Sequence, residues 1–162
     1  MQVSTRHADV LVRTAVNQIA TRAQVETFEA NRDVTDEYIY TATLDDRTSD
    51  ICRALDGKRF AYGEGSMPPQ HPNCRSVVRP VVNWKKLGLE PPPDGQRAAQ
   101  DGPVSAKLDY ADWLRQQTAA EQDDILGPAR GKLFRSGKVT LQDLVRADGS
   151  RLTLEELREK IA

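Results

Sequence analysis

Tyr38-Ile39-Tyr40-Thr41-Ala42-Thr43-Leu44 is rich in aromatic and β-branched residues, and Asp45-Asp46-Arg47-Thr48-Ser49 follows it as a polar block. The first run predicts a strand and the second a turn that ends it. Residues 50–55 then predict a short helix, with Ser49 or Asp50 as N-cap. Asp56-Gly57 is a hairpin-type turn signal. Residues 58–62 suit a short strand, and residues 63–72 form a loop dense in Gly and Pro. Residues 75–82 are β-like again through Val77, Val78, Val81 and Val82, but Pro80 confines that strand to an edge or a terminus.

Upstream, residues 5–30 predict a helix free of Gly and Pro. Val12, Val16, Ile19, Ala23 and Val25 recur at helical spacing, and this stripe is expected to be the packing face. Downstream, Gly88-Leu89-Glu90-Pro91-Pro92-Pro93-Asp94-Gly95 continues neither helix nor sheet, so residues 88–105 are expected to be a linker. The last third is expected to be helical. Thr118…Glu121, Thr140…Asp143 and Thr153…Glu156 fit the capping-box pattern or its Asp variant, and Pro128 suits a first helical turn. The expected fold is α+β: an N-terminal helix packed on a small, mainly antiparallel sheet in residues 1–87, a linker over 88–105, and a helical region over 106–162.

Composition narrows the function classes. The 162 residues carry 23 Lys+Arg against 24 Asp+Glu, for a net charge of −1, which argues against a dedicated duplex nucleic-acid binder. Hydrophobic residues make up only 38%, so the core is modest. No apolar run approaches the roughly 20 residues that span a bilayer. The start, MQVSTRHADV, lacks the pattern of a secretory signal, so an intracellular product is expected.

The chemistry-bearing residues cluster. His71-Pro72-Asn73-Cys74 is an H-x-x-C half-site, and Cys52 lies upstream. Zinc takes four ligands, usually thiolate or imidazole, so Cys52, His71 and Cys74 are candidate ligands. Asp45, Asp46, Asp50, Glu64 or water is then the fourth. Other readings stand beside this one. The cysteines suit small buried hydrophobes or a disulfide formed in an oxidising medium. His71 suits a loop anchor. A Cys–His nucleophile and base is a further option, with Asp45, Asp56 or Glu64 as third member.

The run from Thr43 to Gly57 resembles the central signature of the phage Mu F-like head morphogenesis family. Pro68-Pro69-Gln70-His71-Pro72-Asn73-Cys74-Arg75-Ser76 is similar to that family's P-P-x-H-x-N-C-R segment. Arg13-Thr14 resembles the Arg-Thr pair that precedes the signature. Leu126 to Phe134 and Leu152 to Leu157 are similar to the C-terminal part of many members. The resemblance implies a non-enzymatic minor head protein of a phage or prophage, acting in head morphogenesis, portal-associated assembly or genome delivery. Its implied partners are the portal protein, scaffold or major capsid protein. Its implied location is the host bacterial cytoplasm during assembly and then the virion, in the head interior or portal region. Some members carry cysteines where this chain has Ser49 and Ser76. Members are generally longer, so the resemblance also implies the C-terminal portion of a longer design.

The signature residues Asp45, Arg47, Thr48, Ser49, Asp56, Gly57, Asn73 and Arg75 are expected to act as polar staples. Arg47 is the expected partner of the surrounding carboxylates. Arg130, Lys132, Arg135 and Lys138 form a local basic cluster suited to DNA phosphates or an acidic protein surface. Two alternatives belong to other classes. One is an enzyme or toxin-like domain, ADP-ribosyltransferase- or nuclease-like, with Arg13, Thr48, Ser49 and Glu64 as its natural residues. The other is a zinc-stabilised binding module.

Overall fold

Ser4 caps the first helix, its hydroxyl accepting the His7 amide at 3.4 Å. From this cap α1 (Thr5–Glu29) runs for seven turns in the computed structural model, which describes residues 4–161. The chain divides into two units. The first takes the chain up to Ala42 together with Gly57–Pro93. The second takes Thr43–Asp56 together with the chain from Asp94 onward.

In the first unit, β1 (Thr35–Thr41), β2 (Arg59–Ala61) and β3 (Val77–Val82) form an antiparallel sheet in the order β2-β1-β3. Tyr38 stands opposite Phe60 on one side and Pro80 on the other. Pro80 has no N–H for the ladder, and β3 is accordingly an edge strand. The small core comprises Val25, Tyr38, Tyr62 and Val78, with Phe28 and Phe60 packed against it. Fully buried Tyr38 lies 5.5 Å from the Phe60 ring and 6.2 Å from that of Tyr62. Its hydroxyl donates to the carbonyls of Glu64 at 2.8 Å and Ser66 at 3.3 Å.

Of the apolar stripe expected to be the packing face of α1, only Val25 is buried. Val12, Val16 and Ile19 are 59%, 60% and 70% exposed, and Leu11 beside them is 72% exposed. The helix buries Thr21 and Val25, with Val10, Thr14, Asn17 and Phe28 half-buried. The reason is hydrogen bonding. Segment 73–76 turns an amide and two carbonyls towards the helix, and polar side chains satisfy them.

In the second unit, α2 (Asp50–Leu55) belongs with two two-residue strands, β4 (Gln96–Arg97) and β5 (Val104–Ser105), and with four later helices. These are α3 (Tyr110–Gln116), α4 (Ala119–Leu126), α5 (Pro128–Arg135) and α6 (Leu154–Ile161), with a 3₁₀ turn over Gln142–Leu144. Their core includes Leu44, Tyr110, Leu114, Leu126, Phe134 and Leu157. Part of the expected linker is therefore structured. Residues 96–105 carry β4 and β5, Arg97 is buried, and Leu44 and Ala99 form a parallel bridge.

The three Thr-started pairs cap as their sequence predicts. Thr118 and Glu121 close a capping box on α4. Thr140 with Asp143, and Thr153 with Glu156, exchange the same reciprocal bonds. Two of these acids also hold α6: Lys160 reaches Asp143 at 2.7 Å, and Arg146 reaches both Glu156 oxygens at 2.6 Å. The Lys160 bond, then Thr140, holds the Asp143 carboxyl down to about 2. Arg146, then Thr153, holds Glu156 down to about 2. A depressed carboxyl contributes stability above its ordinary titration range and loses it as pH falls through the folded value. Denaturation midpoints are therefore expected to fall between about pH 4.5 and pH 2. The combined Asp143→Asn and Glu156→Gln variant is expected to show a shallower fall. Both pairs are substantially solvated, which keeps the effect small. Urea titrations at a series of pH values read it directly, and identical slopes in the two proteins would refute it.

Candidate functional site

The signature residues occupy two polar constructions, one in each unit. In the first unit, the Pro68–Pro69 peptide bond is cis and the segment after it closes onto α1. Asn73 takes a left-handed conformation, with φ of 58°, which asparagine tolerates better than most residues. Its amide donates to Thr14 Oγ1 at 3.0 Å. Asn17 Nδ2 donates to the carbonyls of Cys74 at 2.7 Å and Ser76 at 3.2 Å. Thr21 Oγ1 donates to Asn17 Oδ1 at 3.1 Å and so fixes the amide's orientation. Thr14, Asn17 and Thr21 thus form a polar row at helical spacing. Arg75 is exposed, whereas Cys74 is buried with its sulfur 4.0 Å from the Tyr40 hydroxyl. His71 Nδ1 lies 2.8 Å from the Pro72 carbonyl, and the Cys74 amide donates to the His71 carbonyl at 3.2 Å.

Asn17→Ala removes both donated bonds and leaves two part-buried carbonyls without them. The expected cost is about 1–3 kcal/mol. A urea titration against wild type measures it, and a loss within experimental error would show that solvent replaces the amide.

In the second unit, Asp45 is the hub of the turn before α2. Its Oδ1 accepts the Arg47 amide at 3.1 Å and lies 3.0 Å from Thr48 Oγ1, which also lies 2.6 Å from the Thr43 carbonyl. Ser49 is the N-cap of α2 and accepts the Cys52 amide at 3.4 Å. Cys52 itself is buried on that helix. The arginine that organises the turn is Arg53 rather than Arg47. Arg47 is 78% exposed in its side chain and reaches Asp45 only at 3.9 Å. Buried Arg53 donates to Asp50 at 3.2 Å and to the carbonyls of Asp46 and Ile125 at 2.9 and 3.0 Å. Arg151 completes Asp50 with two bonds at 2.7 and 2.8 Å.

Asp56 marks the end of α2. Its carboxylate receives Arg97 through bonds of 2.6 and 3.0 Å and the Tyr110 amide at 2.7 Å. Gly57 follows at φ of 77°, a conformation that favours glycine. The Tyr110 hydroxyl donates to the Asp45 carbonyl at 2.6 Å, and burial pushes its phenol up to about 12.

The residues suggested for an enzyme divide between the units. Arg13 is exposed on α1, and Glu64 is exposed with its carbonyl accepting Tyr38. Thr48 and Ser49 belong to the start of α2 in the other unit. The basic cluster also divides. Arg135 pairs with Asp123 at 2.7 Å, and Arg130 donates to the Leu152 carbonyl at 2.6 Å. Lys132 and Lys138 stay exposed.

Asn17, Arg53, Arg97 and Tyr110 are central here but were not singled out by the sequence reading. Arg53 had a local signal, since it stands one helical turn after Asp50. Asn17 had a weaker one, three residues after Thr14 on a helix.

The chain has no match among the curated proteins or the solved structures with which it was compared. Residues 1–79, which hold α1, the sheet up to Arg79 and both halves of the signature, match the family described as phage Mu protein F like protein. Over that span, just under half of the chain, the sequence is similar to the phage Mu F-like family, a family of phage head-related structural proteins.

Proposed function

We propose that the protein is a minor head protein of a phage or prophage, acting without catalysis in portal-associated head assembly or genome delivery. The family match over residues 1–79 carries this reading. The exposed Leu11, Val12, Val16 and Ile19 on α1 support it, because a contiguous apolar patch on a soluble surface is the usual mark of a protein contact. The occupant of that patch is the portal protein of the same phage, with scaffold and major capsid protein as later neighbours. The test is co-expression of the full chain with that portal protein, followed by affinity capture and sizing of the complex. Wild type is expected to retain the portal protein, and Val16→Asp with Ile19→Asp to release it. Failure of wild type to retain it under any assembly condition overturns the reading.

A second reading rests on His71. A carbonyl only accepts, so the 2.8 Å contact with Pro72 supports the tautomer with its proton on Nδ1. A backbone carbonyl in this role is the usual support of a metal-binding imidazole. We propose that His71 and Cys74 supply ligands to a zinc ion. Metal analysis of protein purified without chelator is expected to find zinc in wild type and little in Cys74→Ser. The same measurement on Cys52→Ser tests the remaining cysteine. Metal-free wild type that gains no thermal stability on adding zinc would end this reading. No helix among the described residues is long and apolar enough to cross a membrane.

A further inference from the structure

The second unit holds a groove of about 300 Å³ lined by α5, the turn after it and α6. Ala129, Leu133 and Leu154 give it apolar walls, and Lys132, Lys138 and Arg158 give it three cations. Leu133 and Leu154 are anchored on the unit's core, so the walls are fixed parts of the fold. The three cations are exposed and form no ion pair among the described residues. They contrast with Arg135, Arg146, Arg151 and Lys160 in the same unit, each of which is held by a carboxylate. Among the described residues, no acidic side chain lines the groove.

We infer that this groove is a docking site for an acidic, amphipathic peptide segment of another protein, seated by apolar anchors and flanked by Asp or Glu. Charge complementarity selects the flanks: three unpaired cations attract carboxylates and repel basic segments. The walls select the anchor, since an apolar side chain gains from leaving water there and a bare anion does not. An amphipathic helix laid in an apolar groove is a recurrent way for one protein to hold another. Nucleic acid fits less well. Its backbone uses cations alone, and three cations beside apolar walls are a poor phosphate track on a chain of net charge −1. The groove lies outside residues 1–79, so the inference stands independently of the head-protein reading.

The test uses the full chain and a fluorescein-labelled, helix-forming peptide with a leucine face flanked by glutamates. Binding is read by fluorescence polarisation. A peptide of equal charge with serine in place of leucine is the first control, and a labelled single-stranded oligonucleotide the second. The leucine peptide is expected to bind at least about tenfold more tightly than either control. Lys132→Glu, Lys138→Glu and Arg158→Glu combined are expected to weaken it by at least about tenfold. Ala129→Trp, which fills the groove from an exposed position, is expected to abolish it and decides the matter should the charge variant not fold. Equal binding of the leucine and serine peptides overturns the inference. So does tighter binding of the oligonucleotide, or a folded Ala129→Trp protein that binds as wild type does.

Discussion

Asp56→Ala is expected to lose about 3–5 kcal/mol of folding free energy, the range for breaking a buried ion pair. The Asp56 side chain has no exposure at all, and Arg97 has 5%. Removing the carboxylate takes away both Arg97 bonds and the acceptor of the Tyr110 amide. The guanidinium is then buried without its countercharge, and the first turn of α3 loses an acceptor. A domain stable by about 5–15 kcal/mol cannot easily absorb such a loss. Trp113 sits in the same core, 5.1 Å from the Tyr110 ring. Its fluorescence in urea, with Trp84 changed to Phe, reports this unit. A second comparison separates charge burial from contact loss. Asp56→Leu with Arg97→Met together is expected to regain a good part of the stability, because removing both charges removes the desolvation cost. A single variant costing under about 1 kcal/mol would show that water replaces the carboxylate.

Tyr38→Ala is the matching experiment in the first unit, with an expected loss of about 3–5 kcal/mol. Its ring is fully buried between Phe60 and Tyr62 in a core with few other members. The hydroxyl also holds the Glu64 and Ser66 carbonyls, so the loop after β2 loses its inner tie. Tyr38→Phe keeps the ring and loses only those two bonds, at about 0.5–1.5 kcal/mol each. Far-UV circular dichroism in urea ranks the pair. Equal losses for Ala and Phe would show that the hydroxyl, rather than packing, is what Tyr38 contributes.

Local chemistry was legible in the sequence, and distant pairing was not. Ser49, Thr118, Thr140, Thr153 and Pro128 act within a turn of their own position, so spacing reveals them. Pro80 announces an edge because the missing N–H is a property of one residue. Arg97 and Asp56 stand 41 positions apart, and nothing local to either identifies the other. The stripe on α1 misled for a related reason. Hydrophobic periodicity identifies an amphipathic helix, but the burial of its apolar face presumes an apolar surface opposite. Segment 73–76 instead offers polar backbone groups. The prolines and glycines of residues 88–105 hid two strands too short to leave a periodic trace.

The assignment of Thr43–Asp56 to the second unit also sets a timetable. Asp56 precedes Tyr110 by 54 positions, and Asp50 precedes Arg151 by 101. A ribosome adds about 5–20 residues per second, so the first of these delays is roughly 3–11 s and the second roughly 5–20 s. Throughout that interval the nascent chain holds Arg53 and Asp56 without the helices that later enclose them. The portion matching the family is therefore finished as polymer well before it is finished as structure. During that wait Thr43–Asp56 stays open to a chaperone, a protease or an early binding partner.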